Sequence, residues 1–334
     1  MDDWFEKITG FRELPYEETQ ARLRIEAGRL HSAATDRHFA VGVLEVPALA
    51  ELRSRARALP HKSGRTSVSC VEGDARRLHG DSVNRGAMFQ VASQFNLLEM
   101  VGPSITPEHG VTRYMHDPTQ GPACAIAAGA GTIYRNYLVD VDGHQGQRAE
   151  RQIDCLADLG SALGNGEQSH WAMRNGYALC TAEGLANIDR VLEVSSSEEI
   201  DRLRGLLRIG LHWNVEVTDV ENAAQLVSQA YCSALPVAYT RVPPQRWKRF
   251  ACLVLEASYE ATLLSAVLNA AQGGSDKVLL TRVGGGAFGN DLQWINAAIL
   301  RALRLVQDQA LDVRIVCYGS VPQDVRELVT EANR

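Results

Sequence analysis

The sequence lacks the features that mark several protein classes. Its 334 residues contain no run of eighteen apolar residues and no internal repeat. The first residues, Met1-Asp2-Asp3-Trp4, have neither a basic nor an apolar segment, so no signal peptide or membrane span is predicted. Basic residues are not in excess either. The formal net charge is −6, which argues against a nucleic-acid backbone as the main partner. We therefore expect a cytoplasmic protein that binds neither membranes nor nucleic acid.

Closely spaced cysteine pairs are also missing. The seven cysteines are scattered, none forms a C-x-x-C pair, and most lie within apolar runs, as Cys252 and Cys317 do. We expect buried, reduced thiols rather than a disulfide framework or a zinc site. Neither a metal nor a cofactor is predicted.

The amino-acid composition is that of a globular protein, with 45% hydrophobic and 22% charged residues. Residues 1–60 are predicted to form a mostly helical extension, because strong helix formers follow Pro15 from Tyr16 to Ala34 and a second helix is expected from Ala48 to Leu59. Residues 61–334 are predicted to form an α/β domain. Within it, residues 140–235 are expected to be a largely helical insertion or accessory region, where Ser196-x-x-Glu199 marks a helix start.

The last third of the sequence alternates helix and strand patterns. Apolar residues with helical spacing run from Leu253 to Leu268 and from Ile295 to Val306, and a short apolar strand follows each. These strands are 278–283 and 313–318, and 67–71 and 88–93 have the same character. Such alternation predicts a three-layer αβα fold around a parallel or mixed sheet.

A glycine-rich turn follows the strand 278–283. Its residues are Gly284, Gly285, Gly286, Ala287, Phe288, Gly289 and Asn290, and a predicted helix comes next. Glycines allow positive φ and the close approach of a ligand, while a helix start presents unpaired N–H groups to an anion. The segment therefore predicts a phosphate-binding loop. A tight turn without a ligand is the alternative.

The spacing of Gly284, Gly286 and Gly289 also satisfies the dinucleotide fingerprint. A Rossmann fold places this fingerprint after its first strand and an acidic residue at the end of its second. Here only 45 residues follow Gly289, and the next strand ends in Tyr318-Gly319-Ser320 without a carboxylate. A nicotinamide oxidoreductase is therefore a weaker alternative.

Two earlier segments supply further polar groups at strand ends. Gly73-Asp74 follows one strand and Gln94-Phe95-Asn96 follows the next. Asp can accept from an adenine amino group, and amides can bond ribose hydroxyls. Together with the late glycine loop, these motifs resemble the macrodomain family, whose members bind ADP-ribose. The resemblance covers about half of the chain.

The resemblance is to a divergent member. Gln94-Phe95-Asn96 stands where the family has Asn-Ala-Asn, and the glycine run that ordinarily follows is missing. The chain resembles the branch that includes a Legionella effector hydrolase more than it resembles the typical reader modules. The resemblance implies that Asp74 meets the adenine, that Gln94 and Asn96 meet the distal ribose, and that residues 284–290 wrap the diphosphate.

Acidic residues that could perform chemistry lie just after these motifs. Glu108 and Asp117 are the first candidates and Glu99 is the third, because a carboxylate can activate water or assist a leaving group in glycosidic cleavage. The alternative for each is a solvated loop charge or a helix cap. Asp291 is predicted to cap a helix. For Arg135 there are two alternative partners, a phosphate and a structural acid, and the sequence does not decide between them.

The function implied by the resemblance is that of an ADP-ribosyl hydrolase. It would cleave the N- or O-glycosidic bond that joins ADP-ribose to a modified protein side chain, so its partner would be ADP-ribose or an ADP-ribosylated protein. A non-catalytic module that binds ADP-ribose or a related nucleotide is the other candidate. Release of free ADP-ribose separates the two.

Overall fold

The computed structural model describes residues 3–60, 64–219 and 225–334. The predicted domain boundary at residue 61 falls outside these ranges. The helices are α1 (Trp4–Thr9), α2 (Tyr16–Ala21), α3 (Leu49–Arg57), α4 (Ala75–Gly80), α5 (Gln120–Ala127), α6 (Gly129–Ile133), α7 (Ala157–Ala162), α8 (Ala182–Val194), α9 (Ser197–Gly205), α10 (Lys248–Ala271), α11 (Leu292–Leu305) and α12 (Gln323–Ala332). The strands are β1 (Leu23–Glu26), β2 (Arg29–Ser32), β3 (Thr35–Ala40), β4 (Val43–Glu45), β5 (Ser67–Glu72), β6 (Met88–Ala92), β7 (Asp140–Val141), β8 (His144–Gln145), β9 (Trp171–Arg174), β10 (Tyr177–Cys180), β11 (Gly210–Glu216), β12 (Leu226–Cys232), β13 (Lys277–Leu280) and β14 (Asp312–Cys317).

A seven-stranded mixed sheet forms the centre of the protein, in the order β4-β11-β12-β6-β13-β14-β5. The strands β12, β6, β13, β14 and β5 run parallel, and β11 is antiparallel to both of its neighbours. Helix α10 packs with α3, α9 and α11, while α4 packs with α5, which lies on β6. The predicted three-layer α/β class is confirmed, and five parallel strands end at the same edge of the sheet.

Helix α10 is the main core helix. It is long and apolar enough to span a membrane, but 83% of its most apolar window is buried inside the protein. Its Tyr259 hydroxyl donates to the backbone oxygen of Thr281 at 2.8 Å and accepts from the N–H of Val283 at 2.9 Å. A buried helix therefore holds the end of β13, where the glycine loop begins.

The first sixty residues contain more strand than predicted. The helix expected from Tyr16 to Ala34 ends at Ala21, and β1, β2 and β3 then form an antiparallel sheet. Ala27 and Gly28 both have positive φ, which makes the two-residue turn of a hairpin. Helix propensity is overridden here because strand pairing buries Leu23 and Leu30. Strand β4 joins the central sheet, so this segment is part of the domain.

The region 140–235 is also less helical than predicted. Ser196 caps α9 as expected, by accepting from the N–H of Glu199 at 3.2 Å. Strands β11 and β12, however, belong to the central sheet, so the accessory part ends before residue 210. Buried polar residues such as His212 and Gln229 interrupt the apolar pattern of these strands. Their hydrogen bonds are made across the fold, where the sequence pattern does not show them.

The seven cysteines are free thiols, and five of them are buried. The expectation of reduced, largely buried cysteines is confirmed. Burial raises the pKa of the Cys124 thiol well above its ordinary value, which keeps that side chain protonated and unreactive.

Candidate functional site

A cavity of about 500 Å³ lies where the parallel strands end. Segments that follow β12, β6, β13, β14 and β5 all line it. This edge is where open α/β sheets bind ligands, and the volume is typical of a small-molecule site. Eight of the predicted site residues line the cavity: Asp74, Gln94, Glu99, Asp117, Gly284, Gly286, Ala287 and Phe288.

The glycine loop presents one open position to the cavity. Gly284 has a φ of +82°, and a Cβ placed there would lie 2.4 Å from the Cβ of Ala234, so only glycine fits. Gly286 lines the cavity, and a Cβ on it would have no atom of the described protein within 4 Å. The loop therefore needs glycine at Gly284 for its own fold, whereas at Gly286 it leaves room for a ligand.

The other loop residues support its shape. Gly285 and Gly289 lie outside the cavity lining, and a Cβ on Gly289 would be 2.8 Å from Ala238. Asn290 is buried and donates to the backbone oxygen of Leu235 at 2.8 Å. Asp291 accepts from the N–H of Gln293 at 2.8 Å, which confirms it as the cap of α11.

The two amides predicted to meet a ribose are in different environments. Asn96 is fully buried and away from the cavity, where it donates to Gln152 at 2.8 Å and accepts from the N–H of Leu98 at 3.1 Å. Its predicted contact with ribose is thus not supported by its position. Gln94 lines the cavity while its Oε1 accepts from the N–H of Met100 at 2.8 Å.

Glu99 is the buried carboxyl group of the cavity. Its side chain is largely shielded, with the residue 4% exposed, and Oε1 has no hydrogen-bond partner among the described residues. Burial raises the pKa of this carboxyl well above 4.5, and the charge of Asp117 adds to the rise, while Arg135 opposes it. The group therefore holds a proton at a pH where most carboxyls have lost theirs.

The side chain of Glu99 packs closely against Gly121, where a larger residue would not fit. A Cβ on Gly121, at the start of α5, would lie 2.3 Å from Oε2 of Glu99. The backbone N–H of Glu99 donates to the Tyr114 hydroxyl at 2.9 Å. Both neighbours lie more than ten residues further along the chain, so burial of Glu99 is a tertiary effect.

The other two acidic candidates, Asp117 and Glu108, lie in different places relative to the cavity. Asp117 is half-buried, lines the cavity, and accepts from the N–H of Thr119 at 2.9 Å. Glu108 does not line the cavity. Its Oε1 accepts from the N–H of Ala149 at 2.9 Å, and its Oε2 is buried without a hydrogen-bond partner among the described residues. Of the two first candidates, Asp117 therefore lies at the cavity and Glu108 lies outside its lining.

Glu13 holds the loop that carries Asp117. Its carboxylate accepts from the N–H groups of Val111 and Thr112, both at 2.8 Å, and from the Tyr137 hydroxyl at 2.7 Å. The short 3₁₀ helix Thr112–His116 begins at this point and leads directly to Asp117. The N-terminal segment therefore supports the candidate site from outside the cavity.

Two arginines that the sequence reasoning did not select line the cavity. Arg76 is paired with Asp219 at 2.5 Å, and Arg282 is paired with Asp324 at 2.8 Å. Both are close to strand ends, which is the feature that could have identified them. Arg135 is buried outside the lining, donates to the backbone oxygen of Leu97 at 3.1 Å and lies 3.8 Å over the ring of Tyr231.

Aromatic side chains line both ends of the cavity. Tyr177, Tyr239 and Phe288 form a cluster with ring centroids 5.1 to 5.5 Å apart. At the β14 end, Tyr318 is 88% exposed. Tyr177 comes from the accessory hairpin β9-β10, and its hydroxyl donates to the backbone oxygen of Met100 at 2.6 Å. The accessory region thus contributes directly to the site.

Comparison with known proteins gives matches to solved structures only. No family model and no curated protein sequence matches this chain. Poly(ADP-ribose) glycohydrolase from Thermomonospora curvata, bound to the inhibitor ADP-HPD, is 13% identical with a TM-score of 0.46, over 95% of this chain and 96% of that one. The Deinococcus radiodurans enzyme in complex with ADP-ribose is 12% identical with a TM-score of 0.44, over 96% and 99%.

Proposed function

We propose that this protein is a macrodomain-type ADP-ribosyl hydrolase. The observation that carries the proposal is the buried carboxyl of Glu99, which lines the same cavity as the glycine loop and whose pKa is raised by burial. A phosphate-binding loop and a carboxylic acid in one cavity are what glycosidic cleavage of a phosphorylated ligand requires. The substrate is ADP-ribose linked through a glycosidic bond to a protein side chain.

We assign the parts of the ligand to the strand ends in the order in which the strands lie in the sheet. Asp74 follows β5 at one end, and the aromatic ring of Tyr318 follows β14 beside it, so the adenine lies there. The loop at Gly286 and the guanidinium of Arg282 follow β13 and bind the diphosphate. The segment after β6 carries Glu99, and in this proposal the distal ribose and its glycosidic bond lie beside that residue.

The two carboxyl groups have different roles in the reaction. Glu99 donates its proton to the leaving atom of the side chain as the glycosidic bond breaks. Asp117 removes a proton from the attacking water, whose oxygen forms the new bond to the anomeric carbon. Glu99 and Asp117 line the same cavity, so both can act on one bond of a ligand bound there.

Release of free ADP-ribose is the direct test. Purified protein is incubated with an ADP-ribosylated protein, the released product is quantified, and ADP-ribose affinity is measured separately by calorimetry. Binding together with release supports the proposal. Binding without release would identify a non-catalytic module, and absence of binding would exclude both.

Glu13→Gln is expected to lower both stability and turnover. A glutamine offers one acceptor oxygen to Val111, Thr112 and Tyr137 where the carboxylate offers two. Loss of a charged acceptor should cost about 1–3 kcal/mol in the free energy of unfolding, measured by denaturant titration. Misplacement of Asp117 should also reduce turnover. The exposed Glu18, changed in the same way, is the control, and equal effects of the two variants would contradict the role of Glu13.

The pH dependence of stability should reveal the titration of Glu99. Its folded-state pKa lies above the ordinary value of 4.5, so above that pH the unfolded chain releases this proton before the folded protein does. The contribution of Glu99 to the free energy of unfolding therefore falls as pH rises. The decrease is at most about 1.4 kcal/mol per pH unit, between the pKa of Glu99 in the unfolded chain and its pKa in the folded protein. Glu99→Gln removes the effect, so its stability relative to wild type should increase from pH 5 to pH 8 in denaturant titrations. A difference in the free energy of unfolding between Glu99→Gln and wild type that stays the same from pH 5 to pH 8 would contradict a raised pKa of Glu99.

A further inference from the structure

Arg135 is a fully buried cation that has no carboxylate partner within the described ranges. Its Nε donates to the backbone oxygen of Leu97 at 3.1 Å, and its Nη2 donates to the Thr132 hydroxyl at 3.0 Å. Its Nη1 donates to Nδ1 of His212 at 3.0 Å. Burial and the neighbouring guanidinium lower the pKa of His212 well below its ordinary value, so this ring is neutral. All three partners of the guanidinium are therefore uncharged.

Two partly buried arginines of the same protein show the usual arrangement. The side chain of Arg53 is 15% exposed and pairs with Asp201 at 2.8 Å and with Glu260 at 2.5 Å. The side chain of Arg204 is 17% exposed and pairs with Glu256 at 2.6 Å. A buried charge without a counter-charge is costly, and an apolar side chain of similar volume would avoid that cost. A cation at position 135 therefore indicates a role beyond packing.

Arg135 holds a strained turn that leads to Glu99. Leu97 has a φ of +64°, a left-handed conformation that is unfavourable for leucine. Its N–H donates to the backbone oxygen of Gln94 at 3.0 Å, and the N–H of Gln94 donates to the backbone oxygen of Leu98 at 3.0 Å. These bonds close the turn between β6 and Glu99. The hydrogen bond from Arg135 to the oxygen of Leu97 fixes the strained residue of that turn.

Gln147 joins the same two segments through their backbones. Its side chain is fully buried, and its Nε2 donates to the backbone oxygens of Asn96 and Arg135, both at 3.0 Å. Arg135 is thus tied to the turn through its side chain and through its backbone. A strained residue persists only where its surroundings hold it, and such residues cluster at functional sites. The turn that is held here delivers Glu99 to the lining of the cavity.

We propose that Arg135 is the positioning residue of Glu99, because it fixes the turn before this acid and supplies a positive charge that favours the carboxylate formed during the reaction. The assignment rests on the proposed function, since it takes Glu99 as the proton donor. In that step the proton passes to the leaving atom, the electrons of the glycosidic bond stay on that atom, and Glu99 becomes a carboxylate. Arg135 lies outside the cavity lining, so it acts through Glu99 and not on the ligand.

The charge of Arg135 gives the proposal a measurable sign. Burial raises the pKa of Glu99, and the charge of Arg135 lowers it. Turnover should fall as pH rises through the pKa of Glu99, because the acid must hold its proton, and removal of the cation should move this fall to higher pH. The other ionisable groups that interact with Glu99 are Asp117, Tyr114, Cys124, Tyr177 and Tyr231. Burial raises the pKa of the three tyrosines and the cysteine, so they stay neutral near neutral pH.

The test compares Arg135→Met and Arg135→Lys on two substrates. One is an ADP-ribosylated protein, and the other is the ADP-ribose glycoside of para-nitrophenol, whose phenolate leaves without a proton. Arg135→Met should release ADP-ribose from the protein about 100-fold more slowly than wild type. Its release from the nitrophenyl glycoside should stay close to that of wild type, and its turnover on the protein should fall at a higher pH.

Arg135→Lys separates the charge from the geometry. Lysine keeps the positive charge but lacks the planar set of donors, so turnover on the protein should be lower than in wild type and should fall at the wild-type pH. Thr132→Val is the matched control. It removes one partner of the guanidinium and leaves both the charge and the bond to Leu97. Its pH dependence and its ratio of rates on the two substrates should equal those of wild type.

Thermal melting and calorimetry with free ADP-ribose establish that each variant is folded and binds the ligand. Equal slowing of Arg135→Met on both substrates, with an unmoved pH dependence, would identify a purely structural residue and overturn this inference. Should Arg135→Met fail to fold, equal slowing of Arg135→Lys on both substrates would overturn it. Normal turnover in Arg135→Met, with an active wild type and an inactive Glu99→Gln, would overturn this inference alone. Absence of release by the wild type would overturn the proposed function as well.

Discussion

Glu99→Gln is expected to reduce the release of ADP-ribose by about 10²- to 10⁴-fold, which is the range that loss of a general acid produces. The amide has nearly the same shape as the protonated acid but cannot transfer a proton to the leaving atom. Affinity for free ADP-ribose should stay within about threefold of wild type, because the amide still fills the space beside Gly121. Single-turnover release and calorimetry measure the two quantities separately.

Glu108→Gln is the matched control for this variant. Glu108 lies on the neighbouring loop but does not line the cavity, and a glutamine there can still accept from Ala149. Its turnover should equal that of wild type. Wild-type turnover in Glu99→Gln would remove Glu99 from the mechanism, and a loss confined to Glu108→Gln would restore the original order of the candidates.

Gly286→Val is expected to weaken ADP-ribose binding by about 10- to 100-fold or more while leaving the protein folded. The new side chain meets no described atom within 4 Å of its Cβ, so it projects into the space that the proposed diphosphate occupies. Calorimetry measures the affinity, and the thermal melting temperature measures the fold. Normal affinity would show that the ligand does not pass over the loop at this point.

Two other glycines separate a blocked site from a damaged fold. Gly166 is exposed in the accessory region and equally unobstructed, so Gly166→Val should change neither affinity nor stability. Gly284→Val should destabilise the protein, because its positive φ and its contact with Ala234 exclude a side chain. If Gly286→Val melts as low as Gly284→Val, its loss of binding would reflect unfolding.

The glycine loop and its flanking elements were predictable because their signals are local. An apolar strand, closely spaced glycines and an amphipathic helix are neighbours in the chain, and Asp291 caps that helix as its position suggests. The C-terminal alternation of helices and strands was correct for the same reason. By contrast, strands β1 to β3 form in a segment where helix-forming residues predominate. Pairing between these strands outweighs the helix propensity of the residues.

The acidic candidates show the limit of local reasoning. Glu99 follows Leu97 and Leu98 and precedes Met100, and this apolar context was the available sign that the carboxyl is buried. Glu108 and Asp117 are in similar polar loops, and the sequence does not distinguish the one that faces the cavity. The path of the loop is decided by Glu13, nearly one hundred residues earlier.

The sequence by itself determined the fold class, the phosphate-loop candidate and the set of carboxylates, because residue type and short-range spacing express these features. Only the tertiary structure decided which members of the set share a cavity. Burial, unpaired oxygens and raised pKa values arise where distant segments meet, as Glu99 meets Gly121, Tyr114 and the charge of Asp117. A different long-range contact holds Asn96, which donates to Gln152 outside the cavity lining.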